Sequence, residues 1–177
     1  MAYNFSKFKT DIKKVEEFLS REYAGLNIGR ASPGILDGVT VESYGARVPL
    51  KNVASISIED SKTLRIAPWD KSQVKEVEKA IVSANLGLSV AVDESGLRVI
   101  FPQLTTETRQ KLVKVLKEKL EDARITVRKE REQVLKAIDQ LTEDEKFKAK
   151  AELQKIIDET NKNLEGIYER KEKEVMG

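Results

Sequence analysis

Residues 105–141 read TTETRQKLVKVLKEKLEDARITVRKEREQVLKAIDQL, and the spacing of apolar residues in this stretch decides the fold. Val113, Leu116, Leu120, Ala123, Val127, Val134, Ala137 and Leu141 recur at intervals of three and four, broken once at Glu130, which predicts one long amphipathic helix with a continuous apolar seam. At the helical rise these 37 residues reach roughly 55 Å, longer than a compact domain of this size needs. The seam needs covering along its whole length, so an elongated bundle is expected. Arg124, Arg128 and Arg131 lie within roughly 60° of one another and off the centre of the seam. They are expected to form an outward cationic strip, the candidate functional surface. The plainer reading is a solvated face paired with Glu121, Glu132 or a neighbouring helix.

Upstream, Phe5, Phe8, Ile12, Val15, Leu19 and Leu26 predict a helix from Asn4 to about Leu26, with Asn4 or Ser6 as cap. Gly29-Arg30-Ala31-Ser32-Pro33-Gly34 cannot continue it, because Pro33 biases Ser32 away from helical angles. Between Val39 and Ile100 the apolar period changes from 3.6 to 2. Strands are expected at Val39–Tyr44, Arg47–Leu50, Val53–Ile58 and Thr63–Ala67, with a tight turn at Gly45-Ala46. A helix follows with Val74, Val77, Ala80, Ile81 and Ala84 on one face, capped by Asp70 or Ser72. A hairpin around Asp93–Gly96 closes this small α+β domain. Trp69 is expected to pack in or cap the domain's core, and Glu59 and Asp60 to be turn residues.

Downstream, Thr142-Glu-Asp-Glu145 is a capping box for a third helix, with Phe147, Ala151, Leu153, Ile156, Ile157, Thr160, Leu164 and Ile167 on its apolar face and a frayed end at Arg170–Val175. Three single-stripe helices satisfy one another as a bundle. The α+β segment separates the first from the other two, so it is an insertion: residues 1–29 and 105–177 form the bundle and 30–104 the inserted domain. Both crossings, Gly29–Gly34 and Ile100–Leu104, carry proline, and a domain held by two short connectors is placed to swing, with Gly29, Ala31, Ser32, Pro33 and Pro102 as the hinge.

Composition narrows the function. The chain has no cysteine and no histidine, which removes disulfides, thiolate metal sites, the commonest general base and the serine triad. No phosphate-binding glycine loop, nucleophile elbow or metal-ligand cluster is present in the sequence, so no enzyme, metal or cofactor is expected. No signal segment or membrane span is indicated, and a cytoplasmic monomer with no membrane partner is the plain expectation. Residues 105–141 carry ten basic against seven acidic residues and 142–177 eight against ten, as expected if the first helix faces a polyanion and the second mostly faces water.

Gly29-Arg30-Ala31-Ser32-Pro33-Gly34-Ile35-Leu36-Asp37-Gly38, Val41-Glu42-Ser43-Tyr44-Gly45, Pro102-Gln103-Leu104-Thr105 and Ala123-Arg124-Ile125-Thr126-Val127-Arg128, in this order, make the chain resemble the ribosome recycling factor family. Glu59-Asp60-Ser61-Lys62-Thr63-Leu64 and Val77-Glu78-Lys79-Ala80-Ile81 agree. The resemblance implies an L-shaped α+β protein, a three-helix bundle carrying a β/α/β sandwich on a hinge. It implies a non-enzymatic factor that, with elongation factor G and GTP, splits the post-termination ribosome into subunits, releasing mRNA and tRNA. It also implies contact with large-subunit rRNA through Arg30, Arg109, Arg128 and Arg131, with Arg124 adjacent on the same strip. The chain departs from the family pattern at Asn27, where an arginine is usual, and at Glu132, which follows Arg131 in place of a second arginine. A helical adaptor with no nucleic-acid role is the rival reading, and weak salt dependence of its binding would mark it.

Overall fold

The computed structural model describes residues 2–177. In chain order the elements are α1 (Ser6–Ala24), β1 (Thr40–Ser43), β2 (Ala46–Pro49), β3 (Ala54–Asp60), β4 (Thr63–Pro68), α2 (Val74–Ser83), β5 (Ser89–Asp93), β6 (Gly96–Ile100), α3 (Thr106–Ile138) and α4 (Glu143–Met176). They divide into two compact units, Met1–Tyr23 with Arg109–Gly177, and Ala24–Thr108. The fold is α+β, a three-helix bundle with a small two-sheet domain inserted between its first and second helices. Among the described residues no helix is long and apolar enough to cross a membrane.

Each bundle helix starts where its sequence supplies a cap. Asn4 Oδ1 accepts from Ser6 N at 2.9 Å, and Thr105 Oγ1 accepts from Thr108 N at 3.1 Å. At α4 both Thr142 N and Thr142 Oγ1 donate to Glu145 Oε2, at 3.3 and 2.8 Å. The bundle core is built from Phe8, Ile12, Leu19 and Tyr23 of α1, Leu116, Leu120, Val127, Val134 and Ile138 of α3, and Leu153, Ile157, Leu164 and Val175 of α4.

Several expectations need correction. The α3 seam passes from Val134 to Ile138, leaving Ala137 exposed, and the helix ends before Leu141. A straight helix drifts by about 20° per heptad against a strict seven-residue repeat, which brings Ile138 into line. Phe147 is 78 % exposed, because Ala149 and Leu153 set the buried line of α4 and a residue two before Ala149 falls on the far side. The end of α4 is not frayed: it stays helical to Met176, with Val175 buried seven residues beyond Tyr168 on the same face. Trp69 is 70 % exposed. Leu64 and Ile66 take the inward positions of β4, and the chain leaves the sheet at Pro68, so Trp69 falls beyond the last core position.

The small unit has a two-stranded sheet, β1–β2, and a four-stranded antiparallel sheet in the order β3-β4-β6-β5. Helix α2 touches β1 and also β5 and β6, so it lies between the sheets. Their shared core holds Ile35, Leu36, Val41, Leu64, Ile66, Val77, Ile81, Leu97, Val99 and Phe101. The β1–β2 turn falls at Tyr44-Gly45, one residue earlier than expected, with φ of +50° and +81° at its two central residues. This is the backbone that a two-residue hairpin requires. Glu59 and Asp60 end β3 rather than forming its turn. Glu59 takes two 2.8 Å bonds from Arg98 and lies 3.6 Å from Arg65, and Arg65 in turn reaches Asp93 at 2.9 Å.

The buried Tyr23 hydroxyl donates to the Leu116 carbonyl at 2.7 Å, tying α1 to α3. Burial, then the nearby Tyr168 and Glu165, push its phenol up to about 12. A folded-state value above the ordinary 10 means that the neutral phenol's stabilisation is complete below pH 10 and lost as pH rises through 12. Unfolding free energy, measured in urea between pH 8 and 12, is expected to fall across that window. In Tyr23→Phe the fall is expected to shrink but persist, since Tyr168 is also raised to about 12, first by burial. At pH 8 the variant should be less stable by about 1 kcal/mol, the worth of one intramolecular hydrogen bond.

Candidate nucleic-acid interface

Arg124, Arg128 and Arg131 sit on consecutive turns of α3 just outside the buried positions Ala123, Val127 and Val134. They line one groove of about 420 Å³ together with Val127 of α3 and Gln154, Ile157 and Asn161 of α4. At its base Val127 and Ile157 are buried, 2 % and 7 % exposed, so the surface the groove offers is mainly polar. The arginines form one wall, and the two amides project from the opposite helix. Helical spacing alone brings Gln154, Ile157 and Asn161 to one face of α4.

The three guanidinium groups are not equivalent. Arg131 is exposed and pairs with no acid among the described residues. Arg128 Nη1 reaches Glu121 Oε1 at 3.1 Å, with both side chains at least half exposed. An exposed pair of this kind contributes about 0–1 kcal/mol, so a phosphate can displace the carboxylate at little cost. Arg124 Nη2 is held by Glu165 Oε2 of α4 at 2.5 Å, with only a third of its side chain exposed. It bridges α3 to α4 as well as lining the groove. The strip therefore faces solvent and also carries two of the pairings that the plainer reading foresaw, with Glu121 and with the third helix.

Arg109, also on α3, lies roughly 22 Å along the helix from Arg124 at 1.5 Å per residue. Its Nη1 donates to the Met176 carbonyl at 2.9 Å, near the end of α4, and its Nε is buried with no partner. It does not line the groove. Arg30 belongs to the small unit, where it is exposed and has no ion pair among the described residues.

The residues expected to form the hinge are anchored inside the small unit. Gly29 takes φ +78°, and a Cβ there would meet Leu104 Cγ at 3.1 Å and the Pro102 carbonyl at 3.3 Å. Its N–H donates to Asn27 Oδ1 at 3.0 Å, and Asn27 Nδ2 donates to the Leu86 carbonyl at 3.3 Å. Asn27 thus shapes this loop from the position where the resemblance leads one to expect an arginine. Ala31 N and Phe101 N donate to the carbonyls of Ser61 and Lys62, at 2.9 and 2.7 Å. Ser32 precedes a short 3-10 turn begun by Pro33. Both segments are thereby fastened to the β3–β4 turn.

Sequence reasoning missed Gln154 and Asn161. Their only signal is i, i+3, i+7 spacing with Ile157, which any solvated helix can show. Among the described residues no group of three or more acidic side chains is placed to hold a metal ion.

The family profile described as ribosome recycling factor matches residues 19–176. The ribosome-recycling factor of Desulforamulus reducens is 42 % identical over 176 residues, covering 97 % of this chain and 96 % of that protein. That of Clostridium kluyveri is 40 % identical over 177 residues, covering 97 % and 96 %. A solution structure of the ribosome recycling factor superposes with a TM-score of 0.80 at 36 % identity, covering 97 % of this chain and 95 % of that one. A second structure comprises the T. thermophilus ribosome recycling factor and E. coli elongation factor G bound to the E. coli post-termination complex. It matches with a TM-score of 0.66 at 35 % identity, covering 98 % of this chain and 97 % of that one.

Proposed function

The chain belongs to the ribosome recycling factor family, and from that membership we propose that it binds large-subunit rRNA and, with elongation factor G, splits the post-termination ribosome, releasing mRNA and tRNA. The observation that carries the rRNA contact is Arg131, an exposed and unpaired guanidinium at the groove between α3 and α4, beside Arg128 and Arg124. Arginine suits the task because its planar fork grips phosphate oxygens bidentately without reading sequence. Arg131 grips first, Arg128 exchanges Glu121 for phosphate, and Arg124 stays on Glu165 and contributes mainly field. Arg30 adds a contact from the small unit. Arg109 adds least, since Met176 already engages it.

The work is mechanical. Side chains of this factor make and break no covalent bond; the partner's GTP hydrolysis supplies the free energy, and the factor transmits displacement. The chain crosses between the two units only twice, so they can reorient as bodies. In this reading Gly29, Ala31, Ser32, Pro33 and Pro102 fix the root from which the small unit turns.

Light scattering of purified post-termination ribosomes tests the proposal. Dissociation into subunits is expected only when the factor, elongation factor G and GTP are all present. Ribosomes that stay intact at every factor concentration would refute the splitting role. Binding to large subunits that is indifferent to salt would favour the adaptor reading.

A further inference from the structure

We propose that the groove between α1 and α3 seats an amphipathic helix of a protein in the post-termination complex, its apolar side chains on Val15 and Phe18 and its carboxylates on Lys14 and Arg21. This rests on the ribosome-splitting reading for its setting and goes beyond it in assigning a surface to a protein rather than to RNA. The groove holds about 610 Å³, lies wholly within the bundle unit, and offers a mostly apolar surface. Leu19 and Ala123 are buried at its base, but Val15 is only partly buried and Phe18 is 57 % exposed, so an aromatic ring is there to be covered. Val15 and Phe18 lie three residues apart, beside the buried line of Leu19, so the apolar stripe of α1 is wider than the two companion helices cover. A helix laid in this groove would complete the bundle as its fourth member.

Shape and charge select that occupant. The α1 wall runs from Lys14 to Glu22, roughly 12 Å at the helical rise, which matches about two turns of a docked helix. A small ligand needs most of its surface enclosed, and a groove open enough to leave Phe18 exposed does not enclose one. Arg21 is exposed and has no ion pair among the described residues, and Lys14 has only Asp11, at 3.9 Å. On the α3 wall the exposed Asp122 carboxylate has no partner among the described residues, while Lys119 is held by Glu22 at 2.8 Å. An RNA backbone would bring phosphate against Asp122 and Glu22. A helix can instead carry acids toward α1 and a base toward α3, with Phe18 covered by its own apolar residues at i, i+3 and i+7. Lys119, Asp122 and Thr126 lie on the far side of the buried α3 seam from Arg124, Arg128 and Arg131, so protein and RNA can be held at the same time.

Photocrosslinking tests this, with p-benzoylphenylalanine in place of Phe18 of the full chain, on purified post-termination ribosomes with elongation factor G and a non-hydrolysable GTP analogue. The expected product joins position 18 to a helix of a protein in that complex, with acidic residues flanking the helix's apolar face. A crosslink to rRNA, to a second copy of the chain or to a non-helical segment overturns the proposal, and so does the absence of any crosslink. Phe18→Ala alters an exposed side chain, so the helical circular dichroism should be unchanged. It is expected to raise the factor concentration needed for half-maximal splitting about tenfold, as the loss of a central interface anchor does, while the salt dependence of large-subunit binding stays as in the wild type. Splitting by Phe18→Ala at the wild-type concentration overturns the groove and spares the splitting reading. A wild-type chain that splits no ribosomes overturns that reading instead, and the crosslink still decides the groove.

Discussion

Gly96→Ala is expected to unfold the small unit. Gly96 opens β6 with φ +140°, and a Cβ there would stand 2.3 Å from the Ile66 carbonyl oxygen and 3.2 Å from Ala67 Cα. Both obstacles are backbone atoms in the middle of the sheet, so no side chain can turn aside to make room. Backbone strain and overpacking each cost about 1–3 kcal/mol, and their sum approaches the entire stability of a modest domain. Gly45→Ala keeps the φ penalty (+81°) but meets nothing within 4 Å, so about 1–2 kcal/mol is expected. Gly38→Ala, free of both constraints, should be neutral or slightly stabilising. Amide hydrogen exchange of β4 and β6 reads the series. Equal protection in all three variants would mean that β6 does not approach β4 as closely as described.

The second large effect is electrostatic. Reversing both Arg128 and Arg131 to glutamate should weaken binding to purified large subunits at least a hundredfold at low salt, since hydrogen bonds to charged groups contribute about 1.5–3 kcal/mol each. The slope of log affinity against log salt should flatten by about 2, one for each phosphate that is no longer neutralised. Both side chains are exposed, so the bundle should keep its helical circular dichroism. Lys7→Glu, 86 % exposed on α1, makes the comparison. An equal loss there would mean that overall charge governs binding and the groove does not.

The bundle was legible in the sequence because burial on a long helix has a period that a string of letters displays, and Leu116, Leu120, Ala123, Val127 and Val134 all fall where the period puts them. The strands were legible for the same reason at period two, and Asn4, Thr105 and Thr142 because capping chemistry is local. Trp69 and Phe147 were misread because hydrophobicity describes a side chain and not the face on which it lands; the residue after a strand and the outer face of a helix near its start look apolar in sequence all the same. The arginine strip could be placed from one helix, whereas its pairing with Glu165 and the facing amides depend on which turn of α4 lies opposite. Arg109 shows the same limit: nothing near it in sequence announces a carbonyl at position 176.

Glu59, Arg65, Arg98 and Asp93 belong to β3, β4, β6 and β5, so the linked charges form a rung that crosses every strand of the larger sheet from one margin to the other. Arg98 and Arg65 draw the Glu59 carboxyl below its usual range, and Arg65 does the same for Asp93, so the rung keeps its ions even in mildly acidic surroundings. The border strands β3 and β5 each contribute an acid to the rung, Glu59 and Asp93, so a second copy's border strand laid against either would bring like charges together where unpaired main-chain groups otherwise invite fibre growth.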